Sequence, residues 1–234
     1  MQNHRLRREI IATAVTNSLV NRMGSTFLMR MQEDTGEPPA QIAKAYTIVR
    51  EAMLARNYWS EIDALDHKVS EKIQLQALKG IWKLQALKGI WNLQRNWTRW
   101  LLTRPGQRLN IAELVERYQM PFAELLEAIP LVLTANDRDK FNAENQHLLN
   151  LGLSQSLAHF IACLPYINAA LDIIELSRIA KKPIIIVAQT HFALSDALHI
   201  NWLLTNVEAL PVTGRWQAQA RGVLRDELQV QQRQ

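Results

Sequence analysis

The sequence predicts an all-α protein, a multi-helix orthogonal bundle with one long helix and two helical subdomains. Three observations lead there. Apolar residues recur every three or four positions along almost the whole chain. Pro and Gly fall between these stretches, where they start or end helices. The one β-branched run, Ile184 to Val187, follows Pro183 and continues into Ala188, Phe192, Leu194 and Leu198 without a break. A lone strand would have no partner elsewhere in the chain, so this run reads as helix despite its propensity.

The elements follow in order. From about His4 to Met23, Leu6, Ile10, Ala14, Asn17 and Val20 step by three or four, and Ile11, Val15 and Leu19 widen the stripe. Gly24 suits the left-handed position that closes a helix, and Ser25 can cap the next. Pro38-Pro39 opens a helix whose Ile42, Ala45, Val49 and Met53 share a face, since proline in a first turn loses no useful hydrogen bond. After Ser60 come short helical stretches, then a long helix from about Ser70 to Thr103, stopped by Pro105-Gly106.

Asn110 caps a helix through Tyr118, and Pro121 starts another with Phe122, Leu125, Leu126 and Ile129 inward. Helices follow to Leu151, from Ser154 to Leu164 and from Tyr166 to Ala180. Ser195 is placed to cap a helix running to Glu208, and a terminal helix carries Arg221, Arg225 and Glu227. The break at Pro105 to Asn110 divides an N-terminal helical subdomain, residues 1–105, from a C-terminal one, residues 106–234. No Gly/Ser linker lies between them, so the two are expected to share contacts.

Composition excludes several classes. With 48% hydrophobic residues the chain can bury a core, which argues against disorder. The net charge of +5 comes mostly from scattered Arg and Lys; Arg5, Arg7 and Arg8 form a dense cluster that reads as a solvated helix face. The single cysteine, Cys163, cannot form an internal disulfide, which fits a reducing, cytoplasmic setting. No Asp, Glu, Lys or Arg occurs from Asn145 to Leu171, but Gly152 and Pro165 break that run, so it reads as a buried helical hairpin and not a membrane span.

LQALKGIW occurs twice in succession, Leu75 to Trp82 and Leu84 to Trp91, with a nine-residue period that carries the tandem duplication through residues 75–93. A solenoid repeat would be longer, because each unit must hold a supersecondary element. Nine residues make about two and a half helical turns, so the copies face opposite sides of a straight helix unless Gly80 or Gly89 absorbs the mismatch.

The search for chemistry finds little. The eight glycines never form a G-x-G-x-x-G turn or a phosphate loop, so no nucleotide site is visible. His159 and Cys163 lie four apart on one helix, but no further ligand joins them. His191, Ser195, Asp196 and His199 have the residue types of a triad, yet four residues on one helix rarely assemble one. Five tryptophans, Trp59, Trp82, Trp91, Trp97 and Trp100, lie in or near the long helix. Trp97, Trp100, Leu101 and Leu93 share a stripe that reads as core, while Lys79, Lys83, Lys88, Arg95 and Arg99 fall outside it and argue against a base-stacking platform. Arg215 and Trp216 read as a docking segment.

Three stretches carry a family likeness: HRLRREIIATAVTNSLVNRMGSTF from His4 to Phe27, RNWTRWLL from Arg95 to Leu102, and ALHINWLLTNVEALPVTGRWQAQARGVLRDEL from Ala197 to Leu228. In this order they resemble the C-terminal helical region of the large bacterial NAD-specific glutamate dehydrogenases, over nearly the whole chain. The duplicated segment departs from that pattern, which fits one copy better than two.

The resemblance implies a parent reaction in which L-glutamate and NAD give 2-oxoglutarate, ammonium and NADH. It also implies that the catalytic and nucleotide-binding segments lie upstream of Met1. The chain is therefore expected to hold no catalytic, cofactor-binding or metal-binding residue, with NAD bound only in the parent enzyme. Its expected partner is the catalytic part of that enzyme, with homo-oligomer contacts left open and no membrane. The alternative is a free-standing basic helical module for nucleic acid or an acidic protein, with nucleic acid the less favoured.

Overall fold

A computed structural model describes residues 5–64, 81–211 and 213–233. Among them the chain is all-α with no strand, as expected. The helices are α1 (Arg7–Met23), α2 (Phe27–Thr35), α3 (Pro39–Ala52), α4 (Ala55–Ala64), α5 (Ile81–Thr103) and α6 (Ile111–Val132). They continue with α7 (Ala135–Asn150), α8 (Gln155–Cys163), α9 (Ala170–Ala180), α10 (Ile184–Ala197), α11 (Ile200–Ala209) and α12 (Arg215–Arg233). The expected start of the long helix at Ser70, and the first LQALKGIW copy as far as Gly80, lie outside the described residues, as does the side chain of Trp82.

Helices α3, α5 and α6 are the centre of the bundle. The expected stripe on α3 is fully buried, with Ile42, Ala45, Val49 and Met53 all inside. On α5 the inward face is Ala86, Ile90, Leu93, Trp97 and Leu101, stepping by four, three, four and four residues. Trp97 meets Phe122 of α6 edge-on, with ring centroids 5.0 Å apart, and the stacked rings of Tyr58 and Phe160 tie α4 to α8. One core runs from Ala45 to Ala188, while a smaller cluster of Leu19, Met23, Phe27, Met31, Ile42 and Tyr46 seats α1 and α2.

Local signals place many boundaries correctly. Asn110 accepts a hydrogen bond from the Glu113 N–H and caps as read, and Ser154, at the expected start of a helix, accepts one from the Leu157 N–H. Gly106, with φ of 73°, turns the chain after α5 in the left-handed region that glycine adopts without strain. Helices α7 and α8 pack against each other, but the expected buried uncharged hairpin is only partly realised, since the run from Asn145 takes in just the end of α7, a largely exposed helix that carries Asp137, Arg138, Asp139, Lys140 and Glu144; Ile184 to Val187 are helical in α10.

Five expectations are corrected. The proposed stripe of α1 does not face inward: Leu6, Ile10, Ile11 and Val20 are exposed, and Leu19 and Met23 make its buried contacts. Pro121 does not begin a helix, because α6 runs unbroken through both Pro121 and Pro130. Proline inside a helix costs about 3 kcal/mol, but Leu114, Tyr118, Phe122, Leu125 and Ile129 form one continuous buried row, and each such side chain contributes about 1.5–3 kcal/mol.

The remaining three corrections concern helix starts. Ser25 is not the cap of α2, which begins at Phe27 after Thr26. Ser195 does not cap the helix that follows, since it lies inside α10 and is buried, with its hydroxyl donating to the His191 carbonyl at 2.9 Å. The break falls instead at Leu198 and His199, whose φ of 51° is left-handed, and α11 starts at Ile200. Tyr166, expected to open α9, sits in the turns before it.

Candidate functional site

The most polar part of the interior lies where α5, α6 and α9 meet. Trp100 on α5 donates its indole N–H to Asp172 Oδ1 on α9 at 2.6 Å, and the Arg104 guanidinium lies 3.9 Å from the Trp100 ring centroid. One turn along α9, Glu175 accepts the Tyr118 hydroxyl proton at 2.9 Å and bonds from Arg178 at 2.7 and 3.2 Å, while Arg104 lies 3.4 Å away. Both carboxylates are buried.

Burial alone would raise the Glu175 pKa, but the bonds from Arg178 and Tyr118 and the nearby charges of Arg178 and Arg104 hold it below the usual carboxylate range. The Tyr118 hydroxyl is pushed up to about 12, first by burial and then by the charge of Glu175. The donors named here already serve a carboxylate. The arrangement suits locking three helices together more than moving a proton.

The structure does bring His159 and Cys163 together, with Sγ 3.6 Å from Nε2, and the reason is structural. In α6 the carbonyl of Leu126 should receive the N–H of residue 130, which is a proline and has none. His159 Nε2 fills that position, donating to the Leu126 carbonyl at 2.9 Å, with the Cys163 thiol at 3.9 Å from the same oxygen. Burial pushes the Cys163 thiol far up, with the charge of Glu127 adding to it, so the thiolate that nucleophilic chemistry requires is strongly disfavoured.

The triad-like set on α10 does not assemble. Ser195 is bonded to its own helix, Asp196 and His199 are exposed, and His191 is half-buried with its pKa pushed down to about 4 by burial. Trp97, Trp100, Leu93 and Leu101 are core, as the stripe implied, and Trp59 is buried with Arg22 over its ring. Trp91 donates its N–H to the Met23 carbonyl at 3.0 Å. Trp216 is exposed, as a docking residue would be.

No group of three or more His, Cys, Asp or Glu among the described residues could hold a metal ion. NAD fits no better. The described glycines end helices, as Gly24, Gly36, Gly106 and Gly152 do, lie within them, as Gly89 and Gly222 do, or, for Gly214, precede the last helix; none sits at a strand-to-helix turn that would let backbone approach a pyrophosphate. Sequence reasoning missed Asp172 and Glu175. Their signal was two acids three apart on the apolar face of α9, which is visible in ALDIIEL but has meaning only once Trp100 and Tyr118 are opposite.

The whole chain, residues 1–234, matches the family described as glutamate dehydrogenase, C-terminal. It is similar to the NAD-specific glutamate dehydrogenase of Pseudomonas aeruginosa, with 34% identity over 233 residues, which is 100% of this chain and 14% of that protein. The enzyme of the same name from Halomonas elongata is 32% identical over 232 residues, 99% of this chain and 14% of the relative. That of Mycobacterium tuberculosis is 28% identical over 230 residues, 97% of this chain and 13% of its own length. The chain thus spans about a seventh of the length of the relatives it matches. No described helix is long and apolar enough to cross a membrane.

Proposed function

The chain belongs to the glutamate dehydrogenase C-terminal family, and on that premise we propose that it is the helical support of an NAD-dependent glutamate dehydrogenase, carrying no catalytic group itself and packing against the catalytic part. The carrying observation is the apolar surface left open on the last four helices. Ile179 of α9, Ile185 and Ile186 of α10, Trp202 of α11 and Trp216 of α12 are all exposed, the two tryptophans to 65% and 81%. Scattered apolar residues on a surface are ordinary, but two such exposed tryptophans and three exposed isoleucines on four consecutive helices have the composition of an interface core.

In the parent reaction L-glutamate loses a hydride to NAD, and water replaces nitrogen to give 2-oxoglutarate and ammonium. Those steps are assigned to the rest of the parent enzyme, and the rigid α5–α6–α9 lock gives that part a firm base. The test has two arms. The purified chain should produce no NADH from glutamate and NAD. It should co-elute with the Pseudomonas aeruginosa relative from which the matching segment has been removed, and a Trp202→Asp, Trp216→Asp variant should not. Glutamate-dependent NADH formation by the chain alone, or co-elution unaffected by those substitutions, would overturn the proposal.

The nucleic-acid reading draws no support from Trp97 and Trp100, which lie inside and offer no ring face to a base.

A further inference from the structure

We propose that the groove between α1 on one side and α3 and α4 on the other docks an acidic amphipathic helix of a partner protein, with the partner's apolar side chains on the groove floor and its Asp or Glu on the flanks. None of the described lining residues belongs to α9–α12, so this surface is separate from the one assigned to the catalytic part. Its occupant is defined by chemistry, whichever polypeptide supplies it.

The groove follows from the direction α1 faces. Leu19 and Met23 seat α1 on the core, which leaves Ile10 and Ile11 exposed and sets Ile11, Val15, Ser18 and Arg22, at intervals of four, three and four, along one wall. Tyr46 and Arg50 of α3 and Arg56 and Trp59 of α4 form the other. The space between them is about 470 Å³, and its described lining is aliphatic and aromatic with no charged group except arginine. Grooves of this kind take the apolar face of a helix, whose side chains recur every three or four residues. Arg22 lies 4.8 Å from the Trp59 ring centroid and Arg50 donates to Ser18 Oγ at 2.8 Å, so the two walls are tied together before a partner arrives.

Charge selects the occupant. Asp63 matches Arg22 at 3.0 Å, but Arg50 and Arg56 share the one carboxylate of Glu51. Arg7, one turn before Ile11 on the same wall, and Arg8 beside it have no carboxylate partner among the described residues. Glu9, the one acid of α1, is two residues from Arg7 and so lies on the other side of the helix. Positive charge is therefore in excess around an apolar floor, which attracts carboxylates and repels lysine and arginine. A second copy of the chain would bring the same arginines and a net charge of +5 against them, which disfavours self-contact through this face. A bilayer is flat, whereas the floor is recessed, with Tyr46 fully buried and Trp59 only 9% exposed.

The experiment follows the fluorescence anisotropy of a labelled helical peptide of about 18 residues, with Leu at every third or fourth position, Glu on both flanks and Ala elsewhere, as the full chain is added. The peptide should bind saturably with a Kd below about 100 μM, and a matched peptide with Lys in place of Glu should bind at least about tenfold more weakly. Ile11→Asp and Arg7→Glu should each weaken binding about fivefold or more at an unchanged melting temperature, because both side chains are exposed, and Lys181→Glu at the end of α9 by less than about twofold. Absence of saturable binding, equal binding of the two peptides, or an affinity unchanged in either Ile11→Asp or Arg7→Glu would overturn the proposal. So would sedimentation with phosphatidylserine vesicles, or self-association of the chain, that Ile11→Asp abolishes.

Discussion

Trp100 and Asp172 are 72 residues apart in sequence, yet the indole N–H of one lies 2.6 Å from the carboxylate of the other in the interior. A buried carboxylate is costly unless donors surround it, and this bond is one that Asp172 would lose outright if the indole were removed. Trp100→Phe keeps most of the apolar area but deletes the donor. We expect a loss of about 2 kcal/mol in urea unfolding. A Trp100→Phe chain as stable as the parent would show that the bond contributes nothing net.

A double-mutant cycle tests the carbonyl of Leu126. His159→Phe should cost about 1–3 kcal/mol by leaving that oxygen without its donor. Pro130→Ala supplies a backbone N–H at the position the helix lacks, so His159→Phe should be milder by about 1 kcal/mol in that background. Additive effects would mean that the imidazole does not substitute for the missing amide.

The stability of the fold should fall in two separate pH windows. His191 has a folded pKa of about 4 against an ordinary 6.5, so the unfolded chain binds its proton first, and stability drops as pH falls from about 6.5 to about 4. Glu175 is held below its ordinary 4.5, so its contribution is present above that value and is lost only as pH falls through its lower folded value. Melting temperature against pH should therefore show an upper slope that His191→Gln flattens and a lower one that Glu175→Gln flattens. A single slope removed by neither variant would contradict both assignments.

The second LQALKGIW copy provides the packing described for the repeat. Ala86 and Ile90 are buried, Trp91 bonds the Met23 carbonyl, and a Cβ on Gly89 would sit 2.8 Å from Leu164 Cδ1. Deleting residues 75–83 should leave the melting temperature within about 3 °C of the parent. Gly89→Val should lower it clearly, because a branched side chain meets Leu164 and also lowers helix propensity. A large loss on deletion would show that the first copy carries packing of its own.

Much of the bundle was legible because local rules and burial agree. The α3 face from Ile42 to Met53 is buried as its spacing implies, Asn110 and Ser154 cap where their side chains can reach an orphan N–H, and the helical reading of Ile184 to Val187 held because no strand could pair with it. On the chemical side, the spacing of His159 and Cys163 did predict their contact, but the reason for it, a carbonyl orphaned by Pro130, lay on another helix.

The sequence by itself determined that the chain is helical, where most helices begin and end, and that Trp97 and Trp100 belong inside, because spacing and capping are set by residues within a few positions of one another. Only the tertiary structure decided that α1 turns its apolar stripe outward, that α6 runs through two prolines, that Asp172 and Glu175 find donors, and that α1 forms a groove with α3 and α4. Each depends on what lies opposite, and the net of burial against local cost has no sign until that neighbour is in place.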